Sequence, residues 1–150
     1  MAYEFLVQNL PYTQKAIGTD KGLAKLGDGI VNFSYSVAKS VYLSQNNSSK
    51  RIVRTGEKVN KNILSKALKS ADMKSFAKNR ADSHDLANTV EAIIAYVWLK
   101  DLITIKDIID LLINNLSGNI RHRIKEIDNA AHAFTQLLLS LKQYLPEKEL

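Results

Sequence analysis

Residues 23–33 read LAKLGDGIVNF, a largely apolar stretch in which Asp28 is the only acidic residue. Burying a lone carboxylate on an apolar helix is costly unless a cation, a metal or several hydrogen-bond donors meet it. Residues 86–99, LANTVEAIIAYVWL, are built in the same way, with Glu91 as their single ionisable residue. The two stretches therefore predict two buried helices on which the carboxylates of Asp28 and Glu91 converge.

Two glycines, Gly27 and Gly29, flank Asp28 in the first of these stretches. A glycine in a helix interior costs about 1 kcal/mol relative to alanine. The pair therefore indicates that another backbone or a ligand comes close to this part of the helix. A simple crossing of two helices would explain the glycines equally well.

Hydrophobic periodicity predicts helices along the chain and no β-strand. Residues 3–10 form a short first helix that Pro11 ends, and residues 45–57 are polar enough to form an exposed loop. The other predicted helices begin after Asp20, cover residues 59–71, begin after Asp82 or Ser83, and cover residues 102–116 and 120–141. The predicted fold class is all-α.

Two of these helices have apolar stripes that predict their buried faces. The stripe of the second helix consists of Leu23, Leu26, Ile30, Phe33, Val37 and Val41. The stripe of the last helix consists of Ile120, Ile124, Ile127, Ala131, Phe134, Leu138 and Leu141, and it suits either a core or a dimer interface.

Length and composition limit the class of protein. A chain of 150 residues that is 45% hydrophobic fits one globular domain, residues 1–150. The first ten residues lack the features of a signal peptide, and no apolar run is long enough to span a membrane. The chain contains no cysteine, which excludes disulfides and thiolate metal sites. We therefore expect a cytoplasmic protein with no membrane partner.

Positive charge is concentrated in residues 50–80, which carry ten Lys and Arg side chains against two acids, Glu57 and Asp72. The rest of the chain is slightly acidic, because the net charge of the whole chain is only +6. Such a segment is typical of a surface that binds a polyanion such as RNA, although a solvated helix face is an equally good interpretation. The candidate RNA-binding residues are Lys50, Arg51, Arg54, Lys58 and Lys61.

Three blocks of the sequence, in this order, resemble the conserved blocks of the ribonuclease III endonuclease domain. They are LAKLGDGIVNFSYSVA, the GEKV that precedes the basic helix, and LANTVEAIIAYVWL, and the resemblance is strongest over residues 20–100. The family blocks read close to LEFLGD and LADTVEALIGA. No double-stranded-RNA-binding domain follows, so we expect a short, single-domain member of the family.

The resemblance implies an all-helical homodimer that cleaves double-stranded RNA with Mg²⁺ or Mn²⁺ held by carboxylates. Asp28 and Glu91 match two of the four core acids of the family and are the implied catalytic and metal-binding residues. The other two acids fall on Ala24 and Asn88, and Asn88 offers the metal only a carbonyl oxygen. Glu57 matches a further acid of the family and is a candidate metal ligand, although a solvated loop carboxylate is the simpler interpretation.

Three hypotheses follow from the sequence. The first is a divalent-metal-dependent endoribonuclease that processes structured or double-stranded RNA. The second is a catalytically degenerate ribonuclease III fold that binds structured RNA or a ribosomal partner, with Asp28 and Glu91 satisfied by Lys25 or by Asn88. The third is a purely structural helical dimerisation protein, which leaves the basic segment unexplained.

Overall fold

The computed structural model describes residues 3–150 and contains six α-helices and no β-strand in that range. The helices are α1 (Gln14–Gly18), α2 (Lys21–Gln45), α3 (Lys61–Ser70), α4 (Ser83–Leu99), α5 (Ile105–Asn115) and α6 (Arg123–Leu141). Single 3₁₀ turns occur at Glu4–Val7, Lys74–Phe76 and Lys142–Tyr144. The all-α prediction is confirmed, and none of these helices is long and apolar enough to cross a membrane.

The predicted N-caps of α2 and α4 are confirmed. The side chain of Asp20 accepts a hydrogen bond of 2.8 Å from the backbone N–H of Leu23, so it satisfies one of the free donors at the start of α2. At the start of α4, Asp82 and Asp85 form a reciprocal capping box.

Helix α4 lies at the centre of the bundle, and twelve of its residues are buried. It is apolar on nearly every face, so it can be stabilised only by neighbours on several sides. Helices α1, α2 and α3 supply these neighbours, while α6 packs against α3 and α5. The position of α4 places Glu91 inside the bundle and directs it towards α2.

The N-terminal region differs from the prediction. Residues 3–10 form only the single 3₁₀ turn Glu4–Val7, followed by α1, which the hydrophobic pattern did not predict. Helix α1 is only five residues long, too short for a periodic pattern. Its start is marked by Thr13, whose side chain accepts a hydrogen bond from the backbone N–H of Ala16.

The buried face of α2 was predicted incorrectly. Leu26 and Phe33 are 50% and 61% exposed, whereas the small residues Ala24 and Gly27 face the core. Small residues are needed there because α2 packs closely against α4. Two large apolar side chains of the predicted stripe, Leu26 and Phe33, therefore lie on the surface.

The last helix contributes to the core rather than offering an exposed seam. Phe134, Leu138 and Leu141 of α6 are buried, and within the predicted stripe only Ile124, near the start of the helix, is largely exposed at 70%. The helix begins at Arg123, three residues later than predicted. A dimer interface along its apolar stripe is therefore excluded by burial.

Candidate active site

Helices α2 and α4 touch at Gly27. A Cβ atom added to Gly27 would lie 1.8 Å from the backbone oxygen of Glu91, a distance that no real contact allows. The close approach predicted from this glycine is confirmed, and the approaching group is the backbone of α4. At Gly29 no backbone comes close, because no protein atom of the described chain lies within 4 Å of an added Cβ.

This contact places Asp28 beside Glu91, and their carboxyl groups share a hydrogen bond. Glu91 is only 8% exposed, whereas the side chain of Asp28 is 39% exposed, so only one of the two carboxyl groups is buried as predicted. Burial, then the hydrogen bond to Asp28 and its negative charge, raise the pKa of Glu91 to about 8. Of the two carboxyl groups, Glu91 is therefore the one that holds a proton more readily, with the Asp28 carboxylate as its acceptor.

Asp28 has two further partners. The side-chain amide of Asn32 donates a hydrogen bond of 3.1 Å to Asp28, and the Nζ atom of Lys58 lies 3.5 Å from the same oxygen. Burial opposes ionisation of Asp28, but Glu91, Lys58 and Asn32 together outweigh it and lower its pKa. The cation next to Asp28 is therefore Lys58, not Lys25 as suggested above.

Asn32 was not recognised from the sequence. It lies four residues after Asp28 on α2, a spacing that places two side chains on the same helix face. Its carbonyl oxygen also accepts a hydrogen bond of 2.8 Å from the backbone N–H of Val59. Asn32 therefore links the Asp28 carboxylate to the segment that carries Lys58.

A cavity of about 470 Å³ opens beside the carboxyl pair. Asp28, Asn88 and Glu91 all line it, as does Ala24, which takes the place of a family acid. Five lysines also line the cavity, namely Lys21, Lys25, Lys58, Lys61 and Lys78. Four acids share this wall, and two of them, Asp28 and Asp85, are paired with Lys58 and Lys78, so the formal charge of the lining is slightly positive.

Asn88 and Asp85 have different roles at this cavity. The side chain of Asn88 is half-buried, and no hydrogen bond holds it within residues 3–150, so its carbonyl oxygen is available to a ligand. Asp85 is used in the capping box and lies 3.4 Å from Lys78. No group of three or more His, Asp or Glu residues in the described chain is placed to hold a metal ion.

Glu57 does not join the carboxyl pair. Its carboxylate accepts a hydrogen bond of 2.5 Å from the Nζ atom of Lys39, which also donates to Glu126 at 2.7 Å. The bond to Lys39 lowers the pKa of Glu57, although burial opposes this. Glu57 therefore does not lie where a ligand of the proposed metal ion would be needed. Its carboxylate is bound instead by Lys39, a buried lysine of α2 that also bonds Glu126 of α6.

The candidate RNA-binding residues fall into two groups. Lys58 and Lys61 line the cavity, one at the end of the loop and one in the first turn of α3. Lys50, Arg51 and Arg54 are exposed in the loop that leads to them. The basic side chains thus extend from the cavity along the exposed loop.

The chain is thus an all-helical domain in which a carboxyl pair lies beside a cavity lined by lysines, an arrangement compatible with a polyanion as ligand. A family model described as Ribonuclease III matches residues 21–147, which is most of the 150-residue chain. The chain therefore belongs to the ribonuclease III family and has the fold of an RNA-processing endoribonuclease. Members of this family generally use divalent metal ions. A search of curated proteins gives no match.

Proposed function

We propose that the chain is an endoribonuclease that binds structured or double-stranded RNA at the cavity and cleaves it with Mg²⁺ or Mn²⁺. The observation that supports this most strongly is the meeting of Asp28 and Glu91 at a lysine-lined cavity. Carboxyl groups are the ligands that such ions prefer, and lysines bind the phosphates of a polyanion. The basic loop extends the same surface.

The donors at the cavity fit a divalent ion that RNA helps to hold. Mg²⁺ keeps several waters and is commonly bound by one or two carboxylates together with substrate phosphates. Asp28 and Glu91 offer two carboxyl groups, and Asn88 adds an amide oxygen. Because no third acid joins them within residues 3–150, waters and a phosphate of the RNA would complete the ligands.

The chain's own groups would act as follows. To hold the ion, the carboxyl group of Glu91 would have to be ionised, and Asn32 would keep the carboxylate of Asp28 in place. Lys58 is exposed and near Asp28, so it can turn to pair with the incoming phosphate. When bound, the ion would lower the pKa of its water and stabilise negative charge on the phosphate.

A second candidate function is binding of RNA, or of a ribosomal partner, without cleavage. The observation that favours it is that the Asp28 carboxylate already has three partners. It accepts hydrogen bonds from Glu91 and from the amide of Asn32, and the cation of Lys58 lies beside it. With Ala24 and Asn88 in place of two family acids, the charge of the pair is balanced without a metal.

Cleavage of a duplex RNA by the purified chain separates the two candidates. We expect cutting in Mg²⁺ or Mn²⁺ but not in EDTA, and loss of cutting in both Asp28→Asn and Glu91→Gln, because each removes a carboxylate ligand. Asp110→Asn is the matched control, since Asp110 is an exposed acid on α5 that pairs with Lys106. If the parent chain binds the duplex but leaves it intact in both metals, the binding-only function replaces the proposed one.

We also propose that the chain forms a homodimer through α2. Leu26 and Phe33 are exposed, and Ile30 and Val37 on the same face are half-buried, so an apolar strip of one helix faces solvent. Helical periodicity places these four residues on one face of α2, roughly opposite to Asp28, so a dimer formed through them would leave the cavity outside the interface. An exposed apolar strip on one helix suits a two-fold interface.

Light scattering tests the dimer. The parent chain is expected at twice the chain mass at micromolar concentration, and Phe33→Glu at the monomer mass, because a charge in an apolar interface is costly. Ile124→Glu is the matched control, since Ile124 is 70% exposed on α6, away from the α2 strip. A parent chain that scatters as a monomer contradicts the proposal.

A further inference from the structure

One face of α2 carries a polar stripe formed by Asn32, Ser36, Ser40 and Ser44, which recur at every fourth position. The stripe binds residues 52–59, here named the strap. Each serine hydroxyl both accepts from a backbone N–H of the strap and donates to the carbonyl of the same strap residue. These pairs are Ser44 with Val53, Ser40 with Thr55 and Ser36 with Glu57. Asn32 forms the fourth pair, in which its side-chain oxygen accepts a single hydrogen bond from the backbone N–H of Val59.

The spacing of these bonds shows that the strap is extended. Four residues of an α-helix rise about 6.0 Å, and two residues of a β-strand rise about 6.6 Å, so every second strap residue meets the next polar residue of α2. In an extended chain the backbone groups of the intervening residues point the opposite way. Those residues are Ile52, Arg54, Gly56 and Lys58, and all four are exposed.

The outward edge of the strap is therefore unpaired. Within the part of the chain that the structure describes, no hydrogen bond engages the backbone N–H or C=O of Arg54, Gly56 or Lys58. An open edge of this kind is a template for another chain of alternating donors and acceptors. A peptide strand and the backbone of RNA both have that character.

Charge and position favour RNA. Arg54 and Lys58 lie on the open edge, while the only acid of the strap, Glu57, is neutralised by Lys39. Charged edge residues discourage pairing with another strand. Lys58 and Val59 line the cavity, so the open edge continues directly from the candidate site.

We propose that the open edge of the strap binds the sugar–phosphate backbone of RNA through its main chain. The backbone N–H groups donate to phosphate oxygens, and the carbonyls accept from the 2′-hydroxyl groups, which occur in RNA but not in DNA. This proposal rests on the proposed function, because it extends the RNA-binding surface of the same cavity. It assigns a role to the backbone of Gly56, which has no side chain to bind RNA.

Gly56→Pro tests the proposal, because proline removes the N–H of residue 56 without changing charge. Gly56 does not have a left-handed φ, so the substitution does not require an unusual backbone conformation. Gly56→Ala is the matched control, since it keeps the N–H and its Cβ would meet Ser36 Oγ at an ordinary 3.7 Å. We expect Gly56→Pro to bind a duplex RNA about tenfold more weakly than Gly56→Ala, the size of one hydrogen bond to a charged group.

A second measurement does not depend on how the proline variant folds. The parent chain is expected to bind an RNA duplex several-fold more tightly than a DNA duplex of the same sequence at the same salt concentration, because DNA offers no 2′-hydroxyl to the strap carbonyls. Circular dichroism melting shows whether Gly56→Pro retains the helical fold.

Each result has a distinct meaning. If a folded Gly56→Pro binds RNA as tightly as Gly56→Ala, or if the parent binds the two duplexes equally, the assignment of the edge to RNA is overturned and the edge is left to a peptide strand. If the parent chain fails to bind duplex RNA at low salt, the proposed function fails together with this proposal. If the parent chain cleaves duplex RNA and a folded Gly56→Pro variant binds RNA normally, the proposed function stands and only the role of the strap is contradicted.

Discussion

Substituting Gly27 by alanine is expected to lower the free energy of unfolding by about 3 kcal/mol, the upper range for overpacking a core. The added Cβ would lie 1.8 Å from the Glu91 oxygen, and that atom is backbone, so no side-chain rotation can relieve the clash. Helices α2 and α4 must move apart instead. The same movement would separate the carboxyl groups of Asp28 and Glu91.

Gly29→Ala is the control for this effect, because it adds the same methyl group to the same helix. Nothing lies within 4 Å of its added Cβ, so only the helix propensity changes and stability should rise by about 0.5 to 1 kcal/mol. Thermal and urea unfolding monitored by circular dichroism measure both variants. Equal effects of the two substitutions would show that the backbones do not touch at Gly27.

The second large effect is expected when Arg51, Arg54, Lys58 and Lys61 are replaced together by glutamine. Each Lys or Arg that neutralises a phosphate releases counterions, so losing four such contacts should flatten the slope of log affinity against log salt by about four units. Affinity for duplex RNA at low salt should fall at least about a hundredfold. Duplexes of unrelated sequence should lose similar factors, because side chains cannot read the narrow major groove of RNA.

Binding titrations at several salt concentrations measure this slope. The control replaces Lys106, Lys125, Lys142 and Lys148, four exposed lysines outside residues 50–80, by glutamine, so the net charge changes equally. If RNA binds at residues 50–80, only the first variant should weaken binding strongly. Equal losses in both variants, or none in the first, would show that the basic segment is merely solvated.

Much of the architecture follows from local patterns in the sequence. Periodic apolar residues predicted the long helices, and Asp20 and Asp82 marked where two of them begin. These features depend on contacts within a few residues, so they can be read without knowing the fold. The short α1 and the turn at Glu4–Val7 contain too few residues for any such pattern.

The meeting of Asp28 and Glu91 was also indicated by the sequence, because a carboxyl group within an apolar helix needs a partner. Gly27 indicated where the two helices meet. The partners of the remaining charges were not indicated. Lys25 is closer to Asp28 in sequence, yet Lys58 is the cation that reaches it.

The all-α class, the starts of α2 and α4, the carboxyl pair and the basic segment could be predicted from the chain alone, since each depends on local spacing or composition. Three features required the folded structure: Glu57 pairs with Lys39, Asn32 links Asp28 to the strap, and Leu26 and Phe33 stay exposed. Each of these features depends on how α2 is rotated against α4 and on where the loop before α3 packs along α2. Packing between elements far apart in the chain sets both, and Gly27 is where that packing is closest.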